Sequence, residues 1–359
     1  MTTLGSLFSR KSPPLIGLDV STSSVKLVEL DSDRSGRLVL ERCALEPLER
    51  GCITDGNIEK FDDVADAIRR VVKKSGTKAK NVAMALPPSA VITKKIILPS
   101  GLSEIELEQQ VETEANQYIP FPLDEVALDF CVVGPSSSSP GDEEVLIAAS
   151  RKEKVQDIQG LAEAAGLTPM IVDIESYASR QATQRLIEAM PDQGKGKVVS
   201  LFEIGAYTIS MQVLRDGDVL YERDQAFGGA QLTQQIIRQY GFSPEEAETK
   251  KRAGDLPDDF ESVVLTPFLE TLSQELARAL QFFFTSTPFN RVDQILLGGG
   301  SASLVGLAQA VSQNTSFSCS VVNPFDGMEV GSAVRLKKMA REASSYLTAC
   351  GLALRRFDK

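Results

Sequence analysis

Apolar positions divide the chain into short strands alternating with amphipathic helices. Leu15 to Val20 and Val25 to Leu30 are apolar runs separated by the small hydroxyl residues Ser21 to Ser24, a spacing that predicts a hairpin. A third strand is expected over Arg37 to Leu45, then turns at Gly51 and Asp55-Gly56. Phe61, Val64, Ala65, Ile68, Val71 and Val72 recur at helical spacing and predict a helix over Phe61 to Lys74. Asn81 to Leu86 reads as a strand that stops at Pro87-Pro88. The character then changes. A strand (Val91 to Leu98), a helix (Ser103 to Tyr118, with Ser103 and Glu106 spaced as a capping box) and two strands (Leu128 to Val133, Glu144 to Ala149) form a block over residues 87–152. That block reads as a small α+β insertion, with a polar loop at Pro135 to Gly141.

Beyond the insertion, a helix is expected over Lys154 to Ala165, a strand over Met170 to Ile174 and a helix over Ser176 to Met190. After the Gln193 to Lys197 linker the opening plan returns. Val198 to Ile204, a turn at Gly205 to Thr208, Ile209 to Leu214 and Val219 to Arg223 again read strand, hairpin, strand, strand. Phe227-Gly228-Gly229 opens a helix to Tyr240, and further helices are expected over Pro244 to Arg252 and Glu261 to Thr285. Gln294 to Leu297 reads as a strand running through Gly298-Gly299-Gly300-Ser301 into another helix, and a last helix ends the chain around Leu347 to Arg355. Two halves with one plan predict a duplicated α/β domain with a cleft between the halves. The expected divisions are a tail (1–13), a first domain in two parts (14–86 and 153–197) around the insertion (87–152), a second domain (198–345), and a C-terminal helix (346–359) returning to the first.

The chain has 359 residues, too many for one ordinary core. Its net charge of −11 argues against a general nucleic-acid binder. It contains no histidine, which removes Ser-His-Asp and Cys-His catalysis and imidazole metal ligation. The five cysteines are scattered without C-x-x-C spacing and suggest reduced thiols in a cytoplasmic protein. No apolar run approaches the roughly 18 residues of a membrane span. The segment Leu4 to Lys11 lacks the apolar core of a signal peptide and reads as a mobile tail, or as a short tail touching a membrane or partner.

Within this frame the first hairpin holds candidate chemistry. Small side chains at Ser21, Thr22 and Ser23 let backbone N–H groups approach a ligand, Asp19 offers a carboxylate and Lys26 a cation. That set suits a nucleotide phosphate with hydrated Mg²⁺, although serine-rich hairpins are also common as plain turns.

With these residues the layout resembles the actin, Hsp70 and sugar-kinase ATPase superfold, and within it the PilM family of type IV pilus assembly proteins, relatives of the division protein FtsA. The resemblance covers nearly the whole chain. Gly17 to Lys26 is similar to the first phosphate loop, Phe202 to Thr208 to the second, and Asp173 to Ala178 to the connecting segment. Gly228 to Thr233, Glu248 to Lys251 and Leu297 to Ser303 resemble nucleoside-binding elements. Tyr118 to Val126 points to PilM in particular. The implied fold is an α/β, actin/Hsp70-like duplicated ATPase fold, two domains around a nucleotide cleft with an FtsA/PilM-type inserted subdomain.

The resemblance implies ATP or ADP with Mg²⁺, held by Asp19, Ser21, Thr22, Ser23, Lys26, Gly205, Thr208, Gly228, Gly229, Glu248, Lys251, Gly299, Gly300 and Ser301, with Asp19 and Glu203 reaching the metal through water. Glu175 is the candidate for positioning a catalytic water. Glu248 and Lys251 read equally as an exposed i,i+3 ion pair, and the glycine run as a plain strand-to-helix turn. Glu203 stands where the superfold has Asp, and Ala206-Tyr207 where it has small glycines, a departure that fits binding with at most slow hydrolysis. The family likeness further implies a peptide groove beside Tyr118, Ile119 and Phe121 that receives the cytoplasmic N-terminal peptide of PilN; core packing is the other reading of Ile119 and Phe121. Other pilus-machine proteins such as assembly ATPases, and self-association, are further implied partners, with no nucleic acid and no direct membrane span. The expected place is the cytoplasmic face of the inner membrane, reached through a partner. Two rivals are a sugar or small-metabolite kinase, for which no carboxylate base beside a polar pocket stands out, and an FtsA-like filament former, which predicts an amphipathic membrane helix after a linker where this chain ends at Phe357 to Lys359.

Overall fold

The hairpin expected at the start is present in the structure, a computed structural model that describes residues 13–136 and 138–358. The expected tail therefore lies outside the described residues except for Pro13. β1 (Leu15–Ser21) and β2 (Ser24–Ser32) flank a turn at Thr22-Ser23, and β3 (Leu38–Pro47) follows. The short β4 (Ile53–Thr54) and β5 (Asn57–Ile58) lead into α1 (Phe61–Ser75). That helix carries Asp62 and Asp63 in its first turn and Lys73 and Lys74 in its last, matching its macrodipole. It stops at Gly76, whose left-handed backbone lets its N–H reach the Val72 carbonyl. β6 (Asn81–Leu86) ends at the expected prolines.

The insertion contains β7 (Val91–Pro99), α2 (Glu104–Tyr118), β8 (Val126–Pro135) and β9 (Asp142–Arg151), forming an antiparallel sheet in the order β7-β9-β8. The capping box is real: Ser103 N–H donates to the Glu106 carboxylate at 2.9 Å and Glu106 N–H to Ser103 Oγ at 3.4 Å. Both late strands run beyond the lengths expected, because they stay paired across Ala127–Ser150 and Pro135–Glu143, where the sequence turns polar. Ile96, Val111, Val145 and Ile147 build a separate core beneath α2.

Next come α3 (Lys152–Ala164), β10 (Thr168–Ile174), α4 (Glu175–Glu188), β11 (Val199–Ile204), β12 (Ile209–Arg215) and β13 (Asp218–Gln225). They are followed by α5 (Gly229–Tyr240), α6 (Pro244–Ala253) and α7 (Thr266–Ser286). The long helix expected from Glu261 opens as a wider turn over Glu261–Leu265, with Thr266 N–H bonded to the Glu261 carbonyl. Pro267 is the cause, since it supplies no N–H to a regular first turn. β14 (Gln294–Gly298), α8 (Leu307–Thr315), β15 (Cys319–Val321), β16 (Glu329–Val330), α9 (Leu336–Glu342) and α10 (Leu347–Leu354) complete the chain. The helix expected directly after the glycine run is displaced: residues 299–306 form successive turns, and α8 starts only at Leu307, after Gly306.

One sheet has the order β10-β6-β1-β2-β3-β16 and another β13-β12-β11-β14-β15. β6 lies parallel to both β1 and β10, and β11 parallel to β14 but antiparallel to β12. The described residues divide into two compact units, one built from residues between 13 and 27, between 44 and 178 and from 355 to 358, the other from residues 28–43 and 179–354. In the first, Ile16, Leu18, Leu27, Ile68, Met84 and Leu161 are fully buried. In the second, Phe202, Phe268, Leu272 and Phe283 anchor the core. Among the described residues no helix is long and apolar enough to cross a membrane.

Candidate functional site

In the first unit the candidate residues are brought together by the β1–β2 hairpin. Strand alternation places Asp19 and Lys26 on facing positions, and Lys26 Nζ donates to Asp19 Oδ2 at 2.8 Å and to Ser21 Oγ at 2.9 Å. Ser21 Oγ in turn donates to the Ser24 carbonyl at 3.1 Å. The ion pair is deep, its two side chains 8% and 7% exposed. Thr22 and Ser23 form the half-buried turn, and the Ser23 carbonyl accepts the Leu48 N–H. Lys26 therefore orients Asp19 rather than reaching freely into solvent. Glu175 is the half-buried first residue of α4. Two residues before it Asp173, on β10, bonds Arg355 Nε at 2.6 Å.

In the second unit three backbone segments converge. Gly229 N–H donates to the Gly205 carbonyl at 3.0 Å, Ala230 N–H to Ala206 at 2.8 Å and Ser301 N–H to Ile204 at 3.1 Å. Ser301 Oγ also reaches the Gly205 carbonyl at 3.3 Å. Gly205 N–H bonds the Thr208 carbonyl at 2.9 Å and closes the turn, on which Tyr207 and Thr208 are exposed. Such close approach requires glycine at two places. A Cβ at Gly228 would sit 2.6 Å from the Gly205 and Ala206 carbonyl oxygens. Gly299 has φ +87° and a Cβ there would meet Ile204 backbone at 2.6 Å. Gly300 is exposed beside it.

The charged pair of α6 is built into this assembly. Lys251 Nζ lies 2.6 Å from Glu248 Oε2 and donates to Thr233 Oγ1 at 2.7 Å, while Thr233 Oγ1 donates to Glu248 Oε2 at 2.8 Å. Arg252 holds the other Glu248 oxygen at 2.8 Å. Burial alone would raise the Glu248 carboxyl, but the charge and hydrogen bonds of Lys251, with Arg252 and Thr233, bring it down to about 2. The pair thus joins α6 to the start of α5 and is more than an exposed surface contact. Beside it opens a cleft of about 300 Å³ lined by Leu232, Lys251, Gly254, Leu256, Phe260 and Leu304. Glu203 is half-buried on β11, with Thr348 Oγ1 at 3.4 Å from its Oε2. Among the described residues no three His, Cys, Asp or Glu side chains gather to hold a metal by themselves. Mg²⁺ keeps most of its waters and leans on substrate phosphates, so a single carboxylate such as Asp19, here paired with Lys26, is the number of protein ligands it can use.

Sequence reasoning missed Ser344, Thr348 and Arg355, and reached Thr233 only as the end of the Gly228 to Thr233 segment. Ser344 clamps Gly299, accepting its N–H at 2.8 Å through the Ser344 carbonyl and donating from Oγ to the Gly299 carbonyl at 3.0 Å. Only Thr233 left a signal, one helical turn after Gly229 on the face shared with α6.

The insertion's apolar knuckle splits in two. Ile119 is buried in the insertion's own core, so the core-packing reading holds for it. Tyr118 is 45% exposed with Lys94 Nζ 4.9 Å from its ring centroid, and half-buried Phe121 carries the Arg151 guanidinium at 4.1 Å. A crevice of about 10 Å³, with room for no more than about one water, lies among Gly56, Ile58, Leu86, Pro87, Lys154 and Ile158. Lys154 Nζ bonds Asn57 Oδ1 beside it at 2.8 Å.

A repeated strand–hairpin–strand plan with glycine-stitched loops and an inserted α+β block defines an actin-like ATPase fold. Solved structures agree in fold: ethanolamine utilization protein EutJ from Carboxydothermus hydrogenoformans (TM-score 0.58, 16% identity, covering 95% of this chain and 89% of that one) and a diol dehydratase-reactivating factor (0.54, 11%, 96% and 100%). The chain is also similar to a chain in a PilM–PilN type IV pilus biogenesis complex, with TM-score 0.77 and 28% identity over 96% of this chain and 99% of that one. A family model, Type IV pilus assembly protein PilM, matches residues 17–357, and the chain belongs to that family.

Proposed function

We propose that this protein binds ATP with Mg²⁺ and serves as an adaptor in type IV pilus assembly by docking the cytoplasmic N-terminal peptide of a PilN-like inner-membrane protein. The observation that carries the reading is the likeness to a PilM–PilN complex across nearly the full length. In the second unit the base would enter the 300 Å³ cleft, with Glu248 and Lys251 beside the ribose and the amides of residues 206–208 toward phosphate. In the first unit Asp19, oriented by Lys26, would hold hydrated Mg²⁺, and the Ser21–Ser23 turn would meet phosphate. Mg²⁺ would neutralise phosphate charge; the chain's own residues bind and orient. Glu203 and Glu175 remain proposals for a second water-mediated metal contact and for water positioning, with hydrolysis slow or absent. Tyr118 keeps the exposure to meet a peptide, Phe121 packs partly against the insertion's core, and the crevice beside Lys154 must widen to admit a side chain.

Docking on the peptide would hold the protein at the cytoplasmic face of the inner membrane. Contacts with further pilus-machine proteins and self-association belong to the same proposal. Calorimetry with Mg-ATP and, separately, with a synthetic PilN-type N-terminal peptide tests both halves. Binding of each is expected, with ATP affinity lowered at least tenfold in Lys251→Met, the scale of one lost charged hydrogen bond. Absence of peptide binding by folded protein overturns the adaptor reading, and absence of ATP binding overturns the nucleotide reading.

A further inference from the structure

The cleft of about 300 Å³ in the second unit has apolar walls in Leu232, Phe260 and Leu304, and polar side chains in Lys251, Asp258 and Glu261. These polar side chains are one-sided in their hydrogen bonding. Lys251 is the cation among them, and an ammonium has three hydrogens to donate. They are committed to Glu248 Oε2 at 2.6 Å, Thr233 Oγ1 at 2.7 Å and the Gly229 carbonyl at 3.5 Å. Asp258 and Glu261 are exposed, and among the described residues neither side chain has a hydrogen bond or an ion pair. Their acidic neighbours differ. Asp259 accepts the Tyr240 hydroxyl at 3.0 Å, and Asp255 pairs with Lys250 at 3.2 Å. The two carboxylates that line the cleft thus keep their acceptor sites, while those beside them are occupied. A ligand entering the cleft meets side-chain acceptors without an available side-chain donor, so it must bring N–H or O–H groups of its own.

We propose that Asp258 and Glu261 select the base of the bound nucleotide, favouring a 6-aminopurine over a 6-oxopurine. The inference rests on the reading that this cleft takes a nucleotide base. An exocyclic amino group carries two N–H donors, one for each carboxylate. The oxygen of a 6-oxopurine would instead set its lone pairs against both. A base lodged between Leu232, Phe260 and Leu304 displaces the water that would otherwise serve either group, which strengthens the discrimination. Hydrogen bonds to a charged partner outweigh neutral ones, and a site built to accept an N–H sharply rejects an analogue that lacks it. Guanine offers a different edge, N1–H and a 2-amino group, which one carboxylate could accept while its 6-oxygen stays unserved.

The test is calorimetric titration of the full chain, wild type and D258N/E261Q, with the Mg²⁺ salts of ATP, GTP and inosine triphosphate. Inosine triphosphate differs from ATP in carrying an oxygen at position 6 and a hydrogen on N1. Wild type is expected to prefer ATP over inosine triphosphate at least about tenfold, the scale of one hydrogen bond to a charged group. In D258N/E261Q each side chain gains an amide donor that can serve the 6-oxygen, so the preference should fall to near parity. Removing two negative charges tightens every triphosphate alike, and the ratio of the two affinities cancels that effect. Circular dichroism melts of both proteins check the fold, which substitution of two exposed side chains should leave intact. Equal wild-type affinity for ATP and inosine triphosphate overturns the inference, as does a preference retained in folded D258N/E261Q. Tighter binding of GTP than of ATP also overturns it and assigns guanine to the cleft. Binding of no triphosphate removes the nucleotide reading and this inference together, whereas equal binding of all three removes the inference alone.

Discussion

Replacing Asp19 with alanine should destabilise the first unit by about 3–5 kcal/mol, the cost of leaving a buried charge without its partner. The reason lies in geometry. Lys26 is 8% exposed in its side chain, and without Asp19 its ammonium keeps only Ser21 Oγ, at 2.9 Å. Water cannot readily repair the loss, because β1 and β2 bury their flanking residues Leu18, Val25 and Leu27 completely. At about 2–4 °C per kcal/mol for a unit of this size, the melting transition should fall by roughly 10 °C. The double variant D19A/K26M removes both charges and puts an apolar side chain of similar length in their place, so it should recover most of the loss. Urea unfolding followed by circular dichroism of wild type, D19A, K26M and D19A/K26M gives the coupling energy, expected to exceed about 2 kcal/mol. An additive double variant, or a D19A cost below about 1 kcal/mol, would refute the buried-pair argument. The cycle also protects the functional test: loss of ATP binding in a D19A/K26M protein of restored stability belongs to the site and not to folding.

Three further outcomes follow from the geometry. The Glu248 carboxyl is held at about 2 in the folded protein against an ordinary 4.5, so its stabilisation is complete above about 4.5 and fades as pH falls toward 2. The depression corresponds to roughly 3 kcal/mol, which screening of a side chain 36% exposed reduces to about 1 kcal/mol; melting curves of wild type and Glu248→Gln should differ by that much at pH 7 and converge toward acid. Gly299→Ala meets both a left-handed backbone and the Ile204 main chain at 2.6 Å, so it should cost at least about 2 kcal/mol in urea unfolding, and a cost within experimental error would contradict the close packing of the 204 and 299 segments. Arg355→Leu strips Asp173 of a charged partner at 2.6 Å where that carboxylate is 11% exposed, and should cost about 2–3 kcal/mol, visible as faster amide exchange in β10 and in residues 352–358.

Periodicity made most elements legible before any coordinates. The β1–β2 hairpin, the apolar stripe of α1 and the Ser103–Glu106 capping box are local arrangements encoded within a few residues, and local energetics suffice to form them. Boundaries slipped where pairing or backbone chemistry overrode the pattern, as in β8 and β9, extended by their ladder, and at Pro267, which widened the first turn of α7. The glycine run misled for a related reason: small residues signal a turn without saying how long it lasts, and α8 waits for Leu307. Family resemblance, resting on several weak motifs in one order, supplied the fold class that periodicity alone left open.

Contacts between residues far apart in sequence were decided by folding alone. Arg355 meets Asp173 and Ser344 clamps Gly299 because sheet order and helix packing carry them there, and no spacing rule links residues so distant along the chain. The same holds for Glu248 and Lys251. Their separation on one helix face was readable from the sequence, but whether they faced water or joined a network depended on α5 presenting Thr233 to them. Ile119 and Tyr118 make the point most simply, since neighbouring apolar residues at a helix end are chemically alike in sequence. One entered the insertion's core and the other stayed in solvent, a choice set by which side of α2 the sheet covers.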